Sequence, residues 1–164
     1  MIKIGNVLNY LIRRAVQADA HQLGALCALL WPDGAASEHQ LEAEAKIRSG
    51  KSGSLPLAIF VAQEAGSIPG PTLSGFIEVG LRSHADGCDT ANPVGYIEGW
   101  FVVESARGQG IGARLSKAAE DWARKHGCVE MASDALIDNA QSQRAHEALG
   151  FDVVDRCVHF KKHL

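Results

Sequence analysis

Val94-Gly95-Tyr96-Ile97-Glu98-Gly99-Trp100-Phe101-Val102-Val103, followed after a short gap by Arg107-Gly108-Gln109-Gly110-Ile111-Gly112, decides how this chain folds. The first run is an apolar strand with one acid, Glu98, set inside it. The second is a glycine-rich turn that opens a helix, because Ile111, Leu115, Ala118, Ala119 and Trp122 recur at the spacing of one buried helical face. That helix ends at Lys125-His126-Gly127. A strand delivered through glycines into a helix leaves backbone N–H groups unpaired at the positive end of the helix dipole. Such a turn suits a pyrophosphate, since glycines let the backbone approach a ligand directly. It is not the dinucleotide fingerprint, which needs G-x-G-x-x-G at a first strand and an acid further on. The G-x-x-x-x-G-K-[ST] phosphate loop is also absent.

Working outward, the chain alternates strands and helices. Upstream, Tyr10 to Arg14 reads as a short strand, and Asp19 starts a helix with Gln22 as capping-box partner. Leu23, Leu26, Cys27 and Leu30 form its buried face, and Trp31-Pro32-Asp33-Gly34 stops it. Ser37 and Gln40 offer a second capping box, before a weaker amphipathic segment that ends near Ser49-Gly50. Leu57 to Gln63 is a buried strand and Gly66 to Pro71 the hairpin loop after it. Leu73 to Arg82 is the next strand, separated from Val94 to Val103 by a polar loop around His84-Ala85-Asp86-Gly87. Downstream, Cys128 to Ser133 reads as a strand and Asp138 to Leu149 as a helix with Asp138 and Gln141 as its capping box. Phe151 onward is extended, with Val158 and Phe160 alternating against His159 and Lys161. No linker or repeat interrupts this order, so residues 1–164 are expected to form a single α/β domain.

The chain has 164 residues, 46% hydrophobic and 21% charged, which matches an ordinary globular domain. A net charge of −3 argues against general attraction to nucleic acid. The longest apolar runs, Leu57 to Ala62 and Trp100 to Val103, fall far short of the roughly 20 residues of a membrane span. At the N-terminus Arg13 and Arg14 follow the apolar residues, opposite in polarity to a secretory signal, so a cytoplasmic protein is expected. Cys27, Cys88, Cys128 and Cys157 form no C-x-x-C pair, and the seven histidines form no H-E-x-x-H. Neither a disulfide framework nor a metal site is expected.

The turn resembles the acetyl-coenzyme A loop of the GNAT superfamily of N-acetyltransferases, [QR]-x-x-G-x-[GA], with Arg107, Gly110 and Gly112 at its defined positions. The second hallmark of that superfamily, an asparagine, a helix and then Gly-Phe, matches Asn139 through Gly150-Phe151. More closely, Leu30-Trp31-Pro32, Gly87-Cys88-Asp89, Glu98-Gly99, Glu130-Met131-Ala132-Ser133-Asp134 and His146-Glu147-Ala148-Leu149-Gly150-Phe151 resemble bacterial aminoglycoside 6′-N-acetyltransferases. The resemblance implies a mixed central sheet flanked by helices, with splayed strands forming the acetyl-coenzyme A cleft. It also implies acetyl transfer to the 6′-amine of kanamycin-like drugs, and so antibiotic resistance. It places Trp31, Glu98, Asp134 and Asp155 at the substrate and Asn139 at coenzyme A. Two positions depart from the pattern, which has Tyr near His84 and His near Gly34.

The residues themselves agree with this. Aminoglycosides are polycations, and Asp86, Asp89, Glu98, Asp134 and Asp155 all lie in loops or at strand ends, where open α/β sheets place ligands. Glu98 is the most telling, since an acid inside an apolar strand is costly unless it meets a cation. Trp31 closes an apolar helix face where the helix breaks, which suits a core residue as well as a ring stacked on a sugar, and the resemblance implies the second; His84 is a further candidate contact. Backbone groups of Trp100, Phe101 and Val102 and the turn from Arg107 through Gly108, Gln109, Gly110 and Ile111 to Gly112 are expected to hold the cofactor, together with Asn139. Glu98 or Asp134 is the candidate proton acceptor and His146 the candidate proton donor. Two other readings stay open: an N-acetyltransferase for a protein N-terminus or a polyamine, and a non-catalytic acetyl-coenzyme A-binding regulator. The extended C-terminal stretch would expose an unpaired edge in a monomer, which points to a homodimer.

Overall fold

The computed structural model describes residues 10–66 and 72–164. The reading of residues 1–9 and the part of the hairpin loop at 67–71 lie outside the described residues. Six strands form the sheet: β1 (Tyr10–Arg14), β2 (Lys51–Ser52), β3 (Leu55–Glu64), β4 (Leu73–Arg82), β5 (Val94–Val102) and β6 (Met131–Ser133). The helices are α1 (Ala20–Leu30), α2 (Ala36–Ser49), α3 (Ile111–Lys125) and α4 (Ala140–Ala148). The strand order is β1-β3-β4-β5-β6, with β2 paired to β3. Every pairing is antiparallel except that of β5 with β6.

Alternation along the central strands divides the side chains into two cores. Ala58, Ala62, Ile77, Val79 and Ile97 pack with Ile111, Leu115, Ala119 and Trp122 of α3. Leu57, Ile59, Val61 and Phe76 pack on the other face with Leu23, Leu26 and Cys27 of α1 and Ala43 of α2. Two ion pairs tie the α1–α2 layer down. The Arg13 guanidinium grips Asp19 with bonds of 2.7 and 2.8 Å. Lys46 of α2 donates to Glu78 of β4 at 2.7 Å.

The helix starts differ from those expected, and in each case a better hydrogen-bond partner is the reason. Asp19 does stand at the N-cap of α1, but it makes no capping box with Gln22. Its carboxylate accepts the Val16 N–H at 2.8 Å and the Arg13 fork, while Gln22 accepts the Leu73 N–H from across the fold at 3.0 Å. Ser37 and Gln40 do not cap α2; the Glu38 carboxylate accepts the Ala35 N–H at 3.1 Å. Asp138 does not cap α4 either, because Asn139 does so, accepting the Ser142 N–H at 3.0 Å. The expected strand Cys128 to Ser133 shortens to Met131–Ser133. Residues 151–164 form no strand among the described residues, and Val153, Val154, Val158 and Phe160 stand exposed, the last at 94%.

Candidate active site

The site begins with how β5 meets its two neighbours. On the β6 side the ladder runs from Gly95↔Met131 to Ile97↔Ser133 and stops there. The β5 residues after Ile97 continue to pair with β4 alone, so the far edge of β5 opens into a fork against β6. On the β4 side, Glu78 faces Gly99 and Val79 faces Ile97, leaving Glu98 as the extra residue of a β-bulge. A bulge re-aims side chains. Ile97 belongs to the α3 core, and after the bulge Trp100 and Val102 turn toward that core while Phe101 packs with the α1–α2 core. Glu98, next along from Ile97, lies on the α1–α2 face at the mouth of the fork, and the bulge puts Gly99 on that face as well.

On this face the acids have partners that the sequence reading did not identify. The Glu98 carboxylate accepts Arg82 Nε at 3.1 Å and Arg82 Nη2 at 2.7 Å. Thus the cation that an acid in an apolar strand demands is supplied in part from within the chain. The Arg82 guanidinium lies 3.3 Å from the centroid of the Tyr96 ring. The Tyr96 hydroxyl donates to Asp134 Oδ1 at 3.1 Å. Burial and the neighbouring Asp134 carboxylate push the Tyr96 phenol up to about 12, so it stays protonated as a donor. Glu98, Arg82, Tyr96 and Asp134 are one connected polar cluster. Of its partners, Tyr96 was within reach of the sequence, because it precedes Glu98 by two residues on the same strand.

Trp31 closes one side of this cluster. Its ring covers Gly99, where an added Cβ would stand 2.5 Å from Trp31 Cη2, so only glycine admits the ring at that distance. Phe76 and His39 flank it, with ring centroids at 6.2 and 6.0 Å, and His39 Nε2 lies 3.1 Å from the Trp31 carbonyl oxygen. His84 lies in the exposed loop after β4, with Nδ1 3.3 Å from the Ser83 hydroxyl. Asp155 is exposed in the C-terminal stretch and accepts the N–H of its neighbour Arg156 at 2.6 Å; no described contact joins it to Glu98 or Asp134. That stretch does pass the β4–β5 loop, for a Cβ on Gly87 would stand 2.7 Å from Val154.

The opposite side of the fork is built from backbone. Gly108 and Gly110 both have φ of +75°, which favours glycine, and the space where a Cβ would stand is open for 4 Å around each. Helical bonding resumes only at the Arg114 N–H, which donates to the Gly110 carbonyl at 3.1 Å. The N–H groups of the first turn, around Ile111 and Gly112 after Gln109, therefore carry no intrahelical partner. Arg107 Nε donates to the Val102 carbonyl at 2.9 Å, and Nη1 reaches Gln141 at 3.4 Å. The indole Nε1 of Trp100 is buried and has no partner among the described residues. A donor left so costs about 1–3 kcal/mol, which a polar ligand would recover. Open glycines, free N–H groups and an orphaned donor along one edge fit a long ligand with a phosphate end.

His146 sits at the apex of the fork. Its Nδ1 lies 2.8 Å from the Ser142 carbonyl, an oxygen that only accepts, so that nitrogen carries the proton. Nε2 lies 2.9 Å from the Ser133 hydroxyl, at the last paired residue of β6. The rings of Trp100 and Phe151 meet His146 edge-on at 5.2 and 5.3 Å. With the proton on Nδ1, Nε2 faces the Ser133 hydroxyl, a residue without its own signal in the sequence. Cys27, the buried thiol beside α2, is pushed up to about 12 by burial and so offers no nucleophile. Among the described residues no group of His, Cys, Asp and Glu is arranged to hold a metal ion.

Residues 23–151 match the model of the Acetyltransferase (GNAT) family. The aminoglycoside N(6')-acetyltransferase type 1 of Klebsiella aerogenes is 42% identical over 154 residues, covering 94% of this chain and 97% of that protein. The Stenotrophomonas maltophilia protein of the same name is 37% identical over 150 residues, 92% of this chain and 91% of that one. Among solved structures, the aminoglycoside N-acetyltransferase AAC(6')-Iy in complex with CoA superposes with a TM-score of 0.82, at 30% identity and 100% coverage of both chains.

Proposed function

The chain belongs to the GNAT acetyltransferase family, within its aminoglycoside 6′-N-acetyltransferase branch, and from that premise we propose that it moves acetyl from acetyl-coenzyme A to the 6′-amine of an aminoglycoside. The observation that carries this reading is the acidic cluster at Glu98, Tyr96 and Asp134, set at the mouth of a fork whose other wall offers free backbone donors. Several converging acids beside a stacking indole suit a polycationic sugar.

Acetyl-coenzyme A supplies the acetyl group and leaves as a thiol. On this reading the turn from Arg107 to Gly112 holds the pyrophosphate, with Asn139 nearby. The open edge of Trp100, Phe101 and Val102 holds the pantetheine arm, and one of its N–H groups polarises the thioester carbonyl. Trp31 stacks on the acceptor sugar, and His84 and Asp155 contact its rim. Glu98 or Asp134 takes the proton that the 6′-ammonium must lose before its nitrogen attacks, and the second proton, shed by that nitrogen as the amide forms, leaves to water. His146 in its imidazolium form donates from both nitrogens, Nδ1 to the Ser142 carbonyl and Nε2 to Ser133. The Ser133 O–H is then free to point into the fork and protonate the departing thiolate.

We further propose a cytoplasmic homodimer. Its support is the exposed apolar series Val153, Val154, Val158 and Phe160, which in a second copy would find a partner. Light scattering at micromolar concentration should give twice 17.5 kDa; a mass of 17.5 kDa throughout would overturn the dimer. The activity is tested by thiol release from acetyl-coenzyme A with kanamycin, a polyamine and an N-terminal peptide offered separately. Turnover with kanamycin at least about a hundredfold above the other two in kcat/KM is expected. Preference for the peptide or the polyamine would overturn the acceptor, and no release with any would leave a binding protein.

A further inference from the structure

The Arg82 guanidinium is bound as a ligand would be. Glu98 takes it in a two-point fork at 3.1 and 2.7 Å, and the face of Tyr96 lies under it at 3.3 Å. Tyr96 in turn donates to Asp134 at 3.1 Å. A carboxylate fork and an aromatic face together are the chemistry by which proteins hold a cationic group. Arg82 thus fills the place in the acidic cluster where an acceptor ammonium has to sit.

The pair is also replaceable. The Arg82 side chain is 43% exposed and that of Glu98 29%. The Lys46–Glu78 pair on the same face is 18% and 6% exposed. An ion pair open to water is weak and exchanges with soluble cations, whereas the buried one is held in place by the cost of leaving either charge alone.

The geometry points to Arg82 as an internal stand-in for the acceptor's ammonium, which occupies the Glu98–Tyr96 cage until a polycation displaces it, and which thereby sets a displacement cost that every acceptor has to offset with further contacts. This rests on the acceptor site proposed above. A single amine that displaces Arg82 exchanges one cation for another and gains little. An acceptor with several amines makes the same exchange and then gains further contacts to Asp134 and the acids of the neighbouring loops. The competitor sets the common cost, and the further contacts of a polycation offset it where a single amine has none to offer.

The test compares kanamycin with 6-amino-6-deoxyglucose, a sugar with a single amine, as acceptors for the wild type, Arg82→Gln and Arg82→Lys. In Arg82→Gln, KM for the single amine and KM for kanamycin should each fall about tenfold, with kcat within about twofold. Arg82→Lys keeps the charge but loses the fork, and its KM for the single amine should fall about threefold. It also carries the test if Arg82→Gln fails to fold. A rise in KM for both acceptors would overturn the proposal by making Arg82 a support for Glu98, and unchanged constants would overturn it by making the pair idle. Calorimetric titration with spermidine, without acetyl-coenzyme A, reads the same cage with no transfer. Tighter spermidine binding by Arg82→Gln supports the stand-in, and weaker or equal binding contradicts it, even if a wild type inactive on kanamycin had sunk the acceptor assignment.

Discussion

The two walls of the fork are made of different material. The α3 wall presents backbone: the N–H groups after Gly108 and Gly110, and the edge of β5 beyond Ile97. The α1–α2 wall presents side chains that already hold one another, Arg82 with Glu98 and Tyr96 with Asp134. Backbone donors at a helix start cannot pair among themselves, so that wall waits for a ligand with its geometry in place. Charged side chains do pair, so the other wall has to be opened by what binds it. On the proposed assignment, cofactor affinity depends on main-chain conformation and acceptor affinity on charge balance, and the two should break separately.

The largest effect is expected on the side-chain wall. Removing a positioned acid–base group costs about 10²–10⁴ in rate. Glu98→Gln and Asp134→Asn should each cut kcat/KM for kanamycin by that range, while the Kd of acetyl-coenzyme A stays within about twofold. Wild-type kinetics in both variants would remove the acids from the mechanism. A smaller loss is expected where the same wall is disturbed through shape alone. Gly99→Val forces the Trp31 ring off the bulge and should raise the acceptor KM about tenfold in steady-state assays, again sparing the cofactor.

How much of this was legible in the sequence follows the same division. The glycine turn could be read directly because its conformation is local: Gly108 and Gly110 adopt positive φ in the turn where their spacing put them. Helix starts were harder although they are also local, since Asp138 and Asn139 are both good caps and only one geometry is realised. Gln22 was lost to a backbone group far along the chain, the Leu73 N–H. The acids themselves were readable, but Arg82 was not. Its meeting with Glu98 depends on the β4–β5 pairing, which sets Arg82 opposite Val94 and Gly80 opposite Tyr96, and no composition rule announces which residues two strands bring side by side. Ser133 was hidden for a related reason, because a serine ending a strand gains meaning only when His146 arrives from another element.

An effect that should leave both walls alone is expected at the far corner of the α1–α2 layer. Burial works to raise the Asp19 carboxyl, but Arg13 and the Val16 N–H outweigh it and hold it below the ordinary carboxylate value. A depressed folded value means that the stabilisation is present above the unfolded pKa of about 3.9 and is lost as pH falls toward the folded one. Asp19→Asn should lower unfolding free energy by about 3 kcal/mol at pH 7, and the gap to wild type should begin to narrow below about pH 4 in urea titrations. A gap that stayed constant from about pH 5 down to about pH 2 would show that shape, not charge, holds that corner.

The separation of the two walls is tested most directly by crossed calorimetry. Glu98→Gln and Gly110→Val are each titrated with acetyl-coenzyme A and with kanamycin. Valine at position 110 would have to adopt a backbone conformation costing about 1–2 kcal/mol and would fill the open cradle with a side chain. Gly110→Val should therefore lose acetyl-coenzyme A binding by at least about a hundredfold and keep kanamycin, and Glu98→Gln should lose kanamycin and keep acetyl-coenzyme A. Loss of both ligands in either variant, or loss of neither in both, would contradict the account.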